Sequence, residues 1–294
     1  MEKYCLQKRS VLSFKTGRYE DGDISYICKS SDESLLALTL SNGMVRIVKS
    51  ADLSNVGALN IGRTTLFCSL FLPSDPKVLV LSERNGHITV FDYESQTMKV
   101  EYNTVREIFS CAILCGGKML LCADKQNIYF YELETGKRIG MYRDLHSDVI
   151  NNLIAHPTYP TVFASGSEDG LICVFDVARG NQDDALLSIF QTESGVASMN
   201  WFGGNHELIW CASMTRGISV WNSINGDRLT DINDFYPILS KQGIEIDYVV
   251  GCIPFQNSLY ALCGMQDGAG FVVSVEHPDQ VVVSWKGHEV RQLV

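Results

Sequence analysis

Three side chains of this 294-residue chain have the types of an acyl-transfer centre: His146, Ser165 and Asp169. An imidazole within reach of a serine hydroxyl can take its proton. A carboxylate on the other ring nitrogen fixes the tautomer, and the three together make a nucleophile. Other residues invite other chemistry. Cys111, Cys115 and Cys122 are close in sequence, but a tetrahedral metal site wants four ligands, and no second Cys or His pair at finger spacing accompanies them. The glycine pair of CGGK, Cys115 to Lys118, lacks the longer glycine-framed run that cradles phosphates and reads as a turn, as does WFGGN, Trp201 to Asn205. Asp183 and Asp184 are adjacent acids in a polar stretch, where carboxylates are ordinarily solvated. The six histidines are scattered, with no repeated or paired spacing. A hydrolase or lyase would need several of them converging with carboxylates in a cleft, with strongly shifted pKa values. No cofactor and no metal is therefore expected.

The elements that carry these residues are legible around SGSEDGLICVFD, Ser165 to Asp176. Asp169-Gly170 is a hairpin signal, since tight turns need positive φ, which Asp tolerates and Gly adopts freely. Leu171, Ile172, Val174 and Phe175 after it, and TVFASGS before it, suit strands. The pattern recurs along the chain. With the bulky residue five places after the turn glycine as anchor, the units give Val48, Phe91, Tyr131, Phe175, Trp221 and Val273, Trp221 falling one residue short after its turn. Successive anchors lie 43, 40, 44, 46 and 52 residues apart. That is close to the length of a four-stranded propeller blade, about 40–45 residues.

The cysteines give an independent check. Cys28, Cys68, Cys111 and Cys252 precede their anchors by 20, 23, 20 and 21 residues, and Leu153 and Met199 hold the same place in the other two units. Cys122, Cys211 and Cys263 form a second column, 9, 10 and 10 residues before their anchors. Cysteines that share places with Leu and Met behave as small buried hydrophobes. Six units are readable, approximately 24–61, 62–103, 104–143, 144–192, 193–245 and 246–285. Two connections are long, ARGNQDDALLS after Phe175 and DINDFYPILSKQGIEID after the fifth unit, and are expected on surface loops.

The fourth unit as a whole, HSDVINNLIAHPTYPTVFASGSEDGLICVFD, resembles a WD repeat. In that family a His before the innermost strand, a Ser on the second, an Asp at the hairpin and a Trp on the third form a hydrogen-bonded set. The resemblance puts His146, Ser165 and Asp169 in the first three places. Phe175 stands in the fourth, where it has no N–H to donate. The implied role is structural: the His–Asp bond ties the approach to the first strand to the hairpin, and the buried polar groups satisfy one another. Trp221 fits the Trp position of the fifth unit, with Asn222 after it in place of Asp, and the remaining units are more degenerate. A narrower likeness within the family rests on HSDVINNLIAHP, SGSEDGLICVFD, DDAL and IDYVVGC. The resemblance also implies a partner-binding face beside the hairpin Asp and at the starts of innermost strands. Here those positions are Arg84, Lys125, Glu168 and Gln266, with Arg216 near the same place, and Arg106 and Tyr248 at strand starts. Arg and Tyr are favoured as interface hot spots. Some members serve ubiquitin ligases as substrate receptors and carry Trp-Asp-X-Arg at the end of a third strand. FDVAR, Phe175 to Arg179, misses that motif by a Phe for Trp and an Arg one residue late.

The expected fold is an all-β WD-repeat β-propeller on a seven-blade plan, with six full repeats readable and an incomplete last blade. WKGHEVRQLV opens a further unit and stops at Val294. Residues 24–294 would form the propeller, and residues 1–23, with YCLQKRSVLSF, would supply a ring-closing strand. An incomplete blade would leave strand edges that invite pairing with another chain. The net charge of −10 argues against nucleic acid, whose phosphates need clustered Lys and Arg. No stretch approaches the roughly 18 apolar residues of a spanning helix, so no membrane is expected. The start MEKYCLQKRS has no apolar run like a signal peptide's, and no Asn-X-Ser/Thr sequon occurs. With the buried-thiol pattern this points to a reducing compartment, cytoplasm and/or nucleus. The expected function is a non-catalytic scaffold that binds protein partners, of unknown identity, through loops on one face. The alternatives are a ubiquitin-ligase substrate receptor and, from another class, a propeller hydrolase or lyase.

Overall fold

Runs of β-branched, aromatic and small apolar residues become strands throughout, and glycine-centred or Asx-rich turns separate them. The computed structural model describes residues 24–60, 66–104, 107–256 and 258–286. These divide into two compact units, the boundary falling between Leu145 and His146. In the first unit, β1 (Ile24–Lys29), β2 (Leu35–Leu40), β3 (Met44–Lys49) and β4 (Asn55–Asn60) make one sheet. A second comprises β5 (Leu66–Leu72), β6 (Asp75–Glu83), β7 (His87–Asp92) and β8 (Thr97–Asn103). A third comprises β9 (Ser110–Leu114), β10 (Met119–Ala123), β11 (Ile128–Glu132) and β12 (Arg138–Tyr142).

The second unit repeats the plan. Its sheets are β13 (Ile150–Ala155), β14 (Val162–Ser167), β15 (Leu171–Asp176) and β16 (Leu186–Gln191), then β17 (Val196–Phe202), β18 (Leu208–Ser213), β19 (Ile218–Asn222) and β20 (Arg228–Ile232). The last is β21 (Tyr248–Phe255), β22 (Ser258–Gly264), β23 (Ala269–Ser274) and β24 (Val281–Lys286). Every sheet is an antiparallel meander in chain order, so the described residues are all-β and hold six blades of propeller type. The segment 1–23 and the further unit opened by Gly287-His288 lie outside the described residues.

The repeat arithmetic has a structural counterpart. All six anchors lie on third strands, the first cysteine column lies on first strands, and the second column on second strands. In all six sheets the register between the third and fourth strands shifts at the anchor: Val48, Phe91, Tyr131, Phe175, Trp221 and Val273. Such a bulge adds a residue to one strand, bends it and increases its twist, which is why fourth strands read weakly in the sequence.

Within each unit the sheets pack face to face. In the first unit Ala37, Ile47 and Leu59 meet Phe71, Leu79 and Tyr93, and Val80 and Ile88 meet Cys111, Leu120 and Tyr131. In the second, Phe190 and Ile172 meet Met199, Trp201 and Trp221. Each fully buried side chain of this size stabilises the fold by about 1.5–3 kcal/mol.

Two expectations need correction. The fifth unit's turn is not one residue short. Arg216, with φ of 65°, occupies the left-handed slot that Gly170 fills at 82° in the fourth unit. Its N–H donates to Ser213 O as Gly170's does to Ser167 O, so Trp221 again falls five places after the turn residue. Gly217 is glycine for another reason: a Cβ there would lie 2.5 Å from Ile232 O and 2.6 Å from Asn233 O. Nor is the long connection after β20 a solvated loop. It forms α2 (Tyr236–Leu239), and Phe235, Leu239 and Ile246 are buried in the core with Trp210, Leu259 and Val273. The connection after β15 does stay at the surface, as α1 (Gln182–Ala185). Asn181 caps it from Asp183 N and Asp184 N, and both acids are exposed.

Candidate functional site

The hydrogen-bonded set of the fourth blade is built from three elements. His146 precedes β13, Ser165 lies in the middle of β14, and Asp169 occupies the turn between β14 and β15. His146 Nδ1 lies 3.1 Å from Asp169 Oδ2, and Nε2 lies 2.9 Å from Ser165 Oγ. Asp169 also accepts from Ser147 N–H at 2.8 Å and Leu171 N–H at 2.9 Å. Burial alone would raise the Asp169 carboxyl, but these N–H donors and His146 more than offset it and hold it below its ordinary value. Burial lowers the His146 imidazole, with Asp169 opposing only in part. The ring is therefore neutral at pH 7, donating from Nδ1 to Asp169 and accepting from the Ser165 hydroxyl. Phe175, fully buried, takes no part in that set and stacks on Phe163 with ring centroids 5.0 Å apart. Ser165 is 0 % exposed. The three groups thus brace the hairpin against the strand, with the Ser165 hydroxyl turned away from solvent.

A second imidazole, which sequence reasoning missed, follows β13. His156 is buried; its Nδ1 accepts from Thr158 N–H at 3.1 Å and Tyr159 N–H at 3.0 Å, and its Nε2–H donates to His206 O at 3.2 Å. Its ring lies 4.6 Å from that of Trp201. Burial lowers its pKa, and the two backbone donors leave no room for a proton on Nδ1. The signal was the His-Pro pair ending a strand, which looks like any other turn.

The hairpin residues differ in how free they are. Arg84 Nε lies 3.3 Å from Glu107 Oε1, and the guanidinium sits 5.4 Å from the Phe109 ring centre and 6.0 Å from that of Phe67. Lys125 is exposed in the turn between β10 and β11, beside Asp124, which is satisfied by Tyr129 OH at 2.7 Å and by Gln126 N–H and Asn127 N–H. Glu107, Phe109, Asp124, Lys125, Gln126 and Asn127 line an open cleft of about 540 Å³ in the first unit. In the second unit Glu168 and Gln266 are exposed at their turns. Tyr248 is half-exposed at the start of β21, its ring packed over Gly264. Arg216 is not a free cation: it grips Asp234 through Nε at 3.1 Å and Nη2 at 2.9 Å, with Tyr236 5.4 Å away. Since Arg216 holds the glycine slot, the residue matching Glu168 in the fifth blade is Met214, 50 % exposed. Arg106 lies outside the described residues. Arg179, in the FDVAR stretch, is exposed and faces Asp176 at 3.8 Å. Among the described residues no group of three His, Cys, Asp or Glu side chains is placed to hold a metal ion.

Comparison with known proteins agrees with the blades. The chain is 24% identical over 253 residues to the WD repeat-containing protein 89 homolog of Dictyostelium discoideum, covering 85% of this chain and 69% of the relative. It is 23% identical over 263 residues to the WD repeat-containing protein GTS1 of Arabidopsis thaliana, covering 85% of this chain and 67% of that protein. The narrower likeness in the fourth and fifth units is to WD repeat-containing protein 89, the first of these two. No family model matches the chain.

Proposed function

We propose that this chain, similar to WD-repeat proteins in sequence and built from blades of that type, is a non-catalytic scaffold that binds protein partners through its hairpin face. The observation that carries the reading is the cleft beside Lys125, walled by side chains that are already held in place. Asp124 accepts from Tyr129 OH, Gln126 N–H and Asn127 N–H, and Phe109 lies 5.4 Å from the guanidinium of neighbouring Arg84. Groups fixed before binding lose little rotamer freedom when a partner arrives. Arginine and aromatic side chains are also the types that dominate binding energies. The net charge of −10 favours a protein partner over nucleic acid.

The test is paired affinity capture with mass spectrometry. One bait is the wild-type chain; the other carries Lys125→Glu and Met214→Asp, two exposed positions, with its fold checked by circular dichroism. Arg84 and Arg216 are left intact because their ion pairs brace the turns. Proteins lost only from the variant support the reading. Recovery of the same proteins by both baits overturns the hairpin face as the site.

We also infer a seven-blade plan, of which the described residues hold six blades. Its support is β21, an innermost strand that exposes Val250 (58 %), Ile253 (43 %) and Phe255 (61 %), where β17 exposes Ala197 and Asn200. A ring closed by six sheets in an experimental structure would refute it. The nine described cysteines are all free thiols, consistent with a cytoplasmic or nuclear protein, which imaging of a tagged chain would check. Among the described residues no helix is long and apolar enough to cross a membrane.

A further inference from the structure

Cys111 and Cys122 stand directly opposite each other on β9 and β10, with Sγ atoms 3.7 Å apart. Residues facing across an antiparallel pair have Cα atoms about 4.5–5.5 Å apart, within the span that a disulfide bridges. Both are buried free thiols. Ser82 Oγ lies 3.6 Å from Cys111 Sγ, and Cys68 is buried in the same core cluster. Hydrogen-bonding contacts with Cys122, Cys68 and Ser82 hold the Cys111 thiol below its ordinary range against the effect of burial. Burial and the neighbouring sulfur push Cys122 the other way.

Buried thiols are ordinarily inert; a small void beside Cys122 sets this pair apart. Cys122 lines a void of about 10 Å³ with Glu107, Ile108, Asp124 and Tyr129, room for one molecule the size of water. Glu107 and Asp124 also line the open cleft on the hairpin face. Glu107 and Asp124 thus separate the open cleft from the void beside Cys122.

We propose that Cys111 and Cys122 form a reversible cross-strand disulfide when a small peroxide reaches them from the hairpin-face cleft. The peroxide O–O bond breaks, one sulfur takes one oxygen as a sulfenic acid, and the other oxygen leaves as water. The second thiol then displaces the sulfenic oxygen, the S–S bond forms, and a second water leaves. Two thiols and one peroxide give one disulfide and two waters, the thiols losing two electrons and the peroxide gaining them. The bridge would tie β9 to β10 two residues before Asp124, in the wall of the cleft. This modification site stands whether or not the cleft binds a protein.

The test uses the full chain. After treatment with hydrogen peroxide, remaining thiols are blocked and the protein is cut with trypsin, which separates EIFSCAILCGGK from MLLCADK. The expected result is these two peptides linked, two hydrogens lighter than the separate pair, and released by a reductant. Cys115 shares the first peptide, so a Cys115→Ser variant runs beside the wild type, and the link should persist in it. Three results overturn the proposal: no link at a peroxide dose that oxidises Cys115, a link that disappears in Cys115→Ser, or an equal yield from chain unfolded in urea.

Discussion

Replacing Asp169 by asparagine keeps the size and shape of the side chain and changes only its hydrogen bonding. Three donors converge on this carboxylate: Ser147 N–H at 2.8 Å, Leu171 N–H at 2.9 Å and His146 Nδ1–H at 3.1 Å. Asparagine offers one oxygen. If it faces Leu171, its amide N–H₂ confronts the Ser147 N–H; if it faces Ser147, it confronts Leu171. Either way a charge-assisted bond is lost and a donor is left without an acceptor, in a site where the carboxylate is 6 % exposed and the His146 side chain 0 %. A bond to a charged group is worth about 1.5–3 kcal/mol net, so the variant should lose about 2–4 kcal/mol. For a protein of this size that lowers the melting temperature by roughly 3–7 °C. The assay is thermal unfolding followed by circular dichroism, with Asp183→Asn on the exposed start of α1 as the control. Because the folded pKa of Asp169 lies below its ordinary 3.8, its contribution is complete above that pH and disappears as pH falls through the lowered value. The gap between wild type and variant should therefore be full at pH 7 and close below about pH 4. A melting temperature no lower than that of Asp183→Asn would refute the brace.

Acid sensitivity should begin earlier in the wild type, because burial lowers His146 and His156 below their ordinary 6.5. The unfolded chain then binds protons that the folded one refuses, so stability is full above that pH and falls as pH drops toward the lowered folded values. In His156→Asn the side-chain oxygen can still accept from Thr158 and Tyr159 but cannot be protonated, so the decline in melting temperature between pH 7 and 5 should flatten; an unchanged slope would sink this account. Gly217→Ala places a Cβ against Ile232 O and Asn233 O and should cost about 1–3 kcal/mol from overpacking, whereas Gly204→Ala, whose Cβ meets nothing within 4 Å, should be silent. Equal urea midpoints for the two would refute the steric argument.

The blades were legible in the sequence because the residues that set them repeat in type as well as in spacing. Bulky anchors sit on third strands, and small sulfurs or their apolar equivalents sit on the first two. What escaped depends on backbone state or on distance along the chain. Arg216 carries no mark of its left-handed conformation, and the glycine beside it imitates the usual turn, so the whole hairpin was displaced by one and Met214 was overlooked. The Arg216–Asp234 grip joins residues that only the folded connection brings together. Phe235, Leu239 and Ile246 are apolar residues spread through a polar stretch, and neither strand nor helix periodicity exposes their burial. Cys111 and Cys122 were assigned correctly to two core columns; that they touch follows from the register of one hairpin.

The bulge at the anchor of every described sheet bears on the shape of each blade's outer edge. A flat outer strand presents a straight row of free N–H and C=O groups, the template on which aggregates grow. Offsetting that strand from its neighbour by one residue, and twisting it as it leaves the anchor, misaligns the row against any strand arriving from outside. The residue that makes each blade recognisable in the sequence is thus also where the outer strand departs from a flat edge.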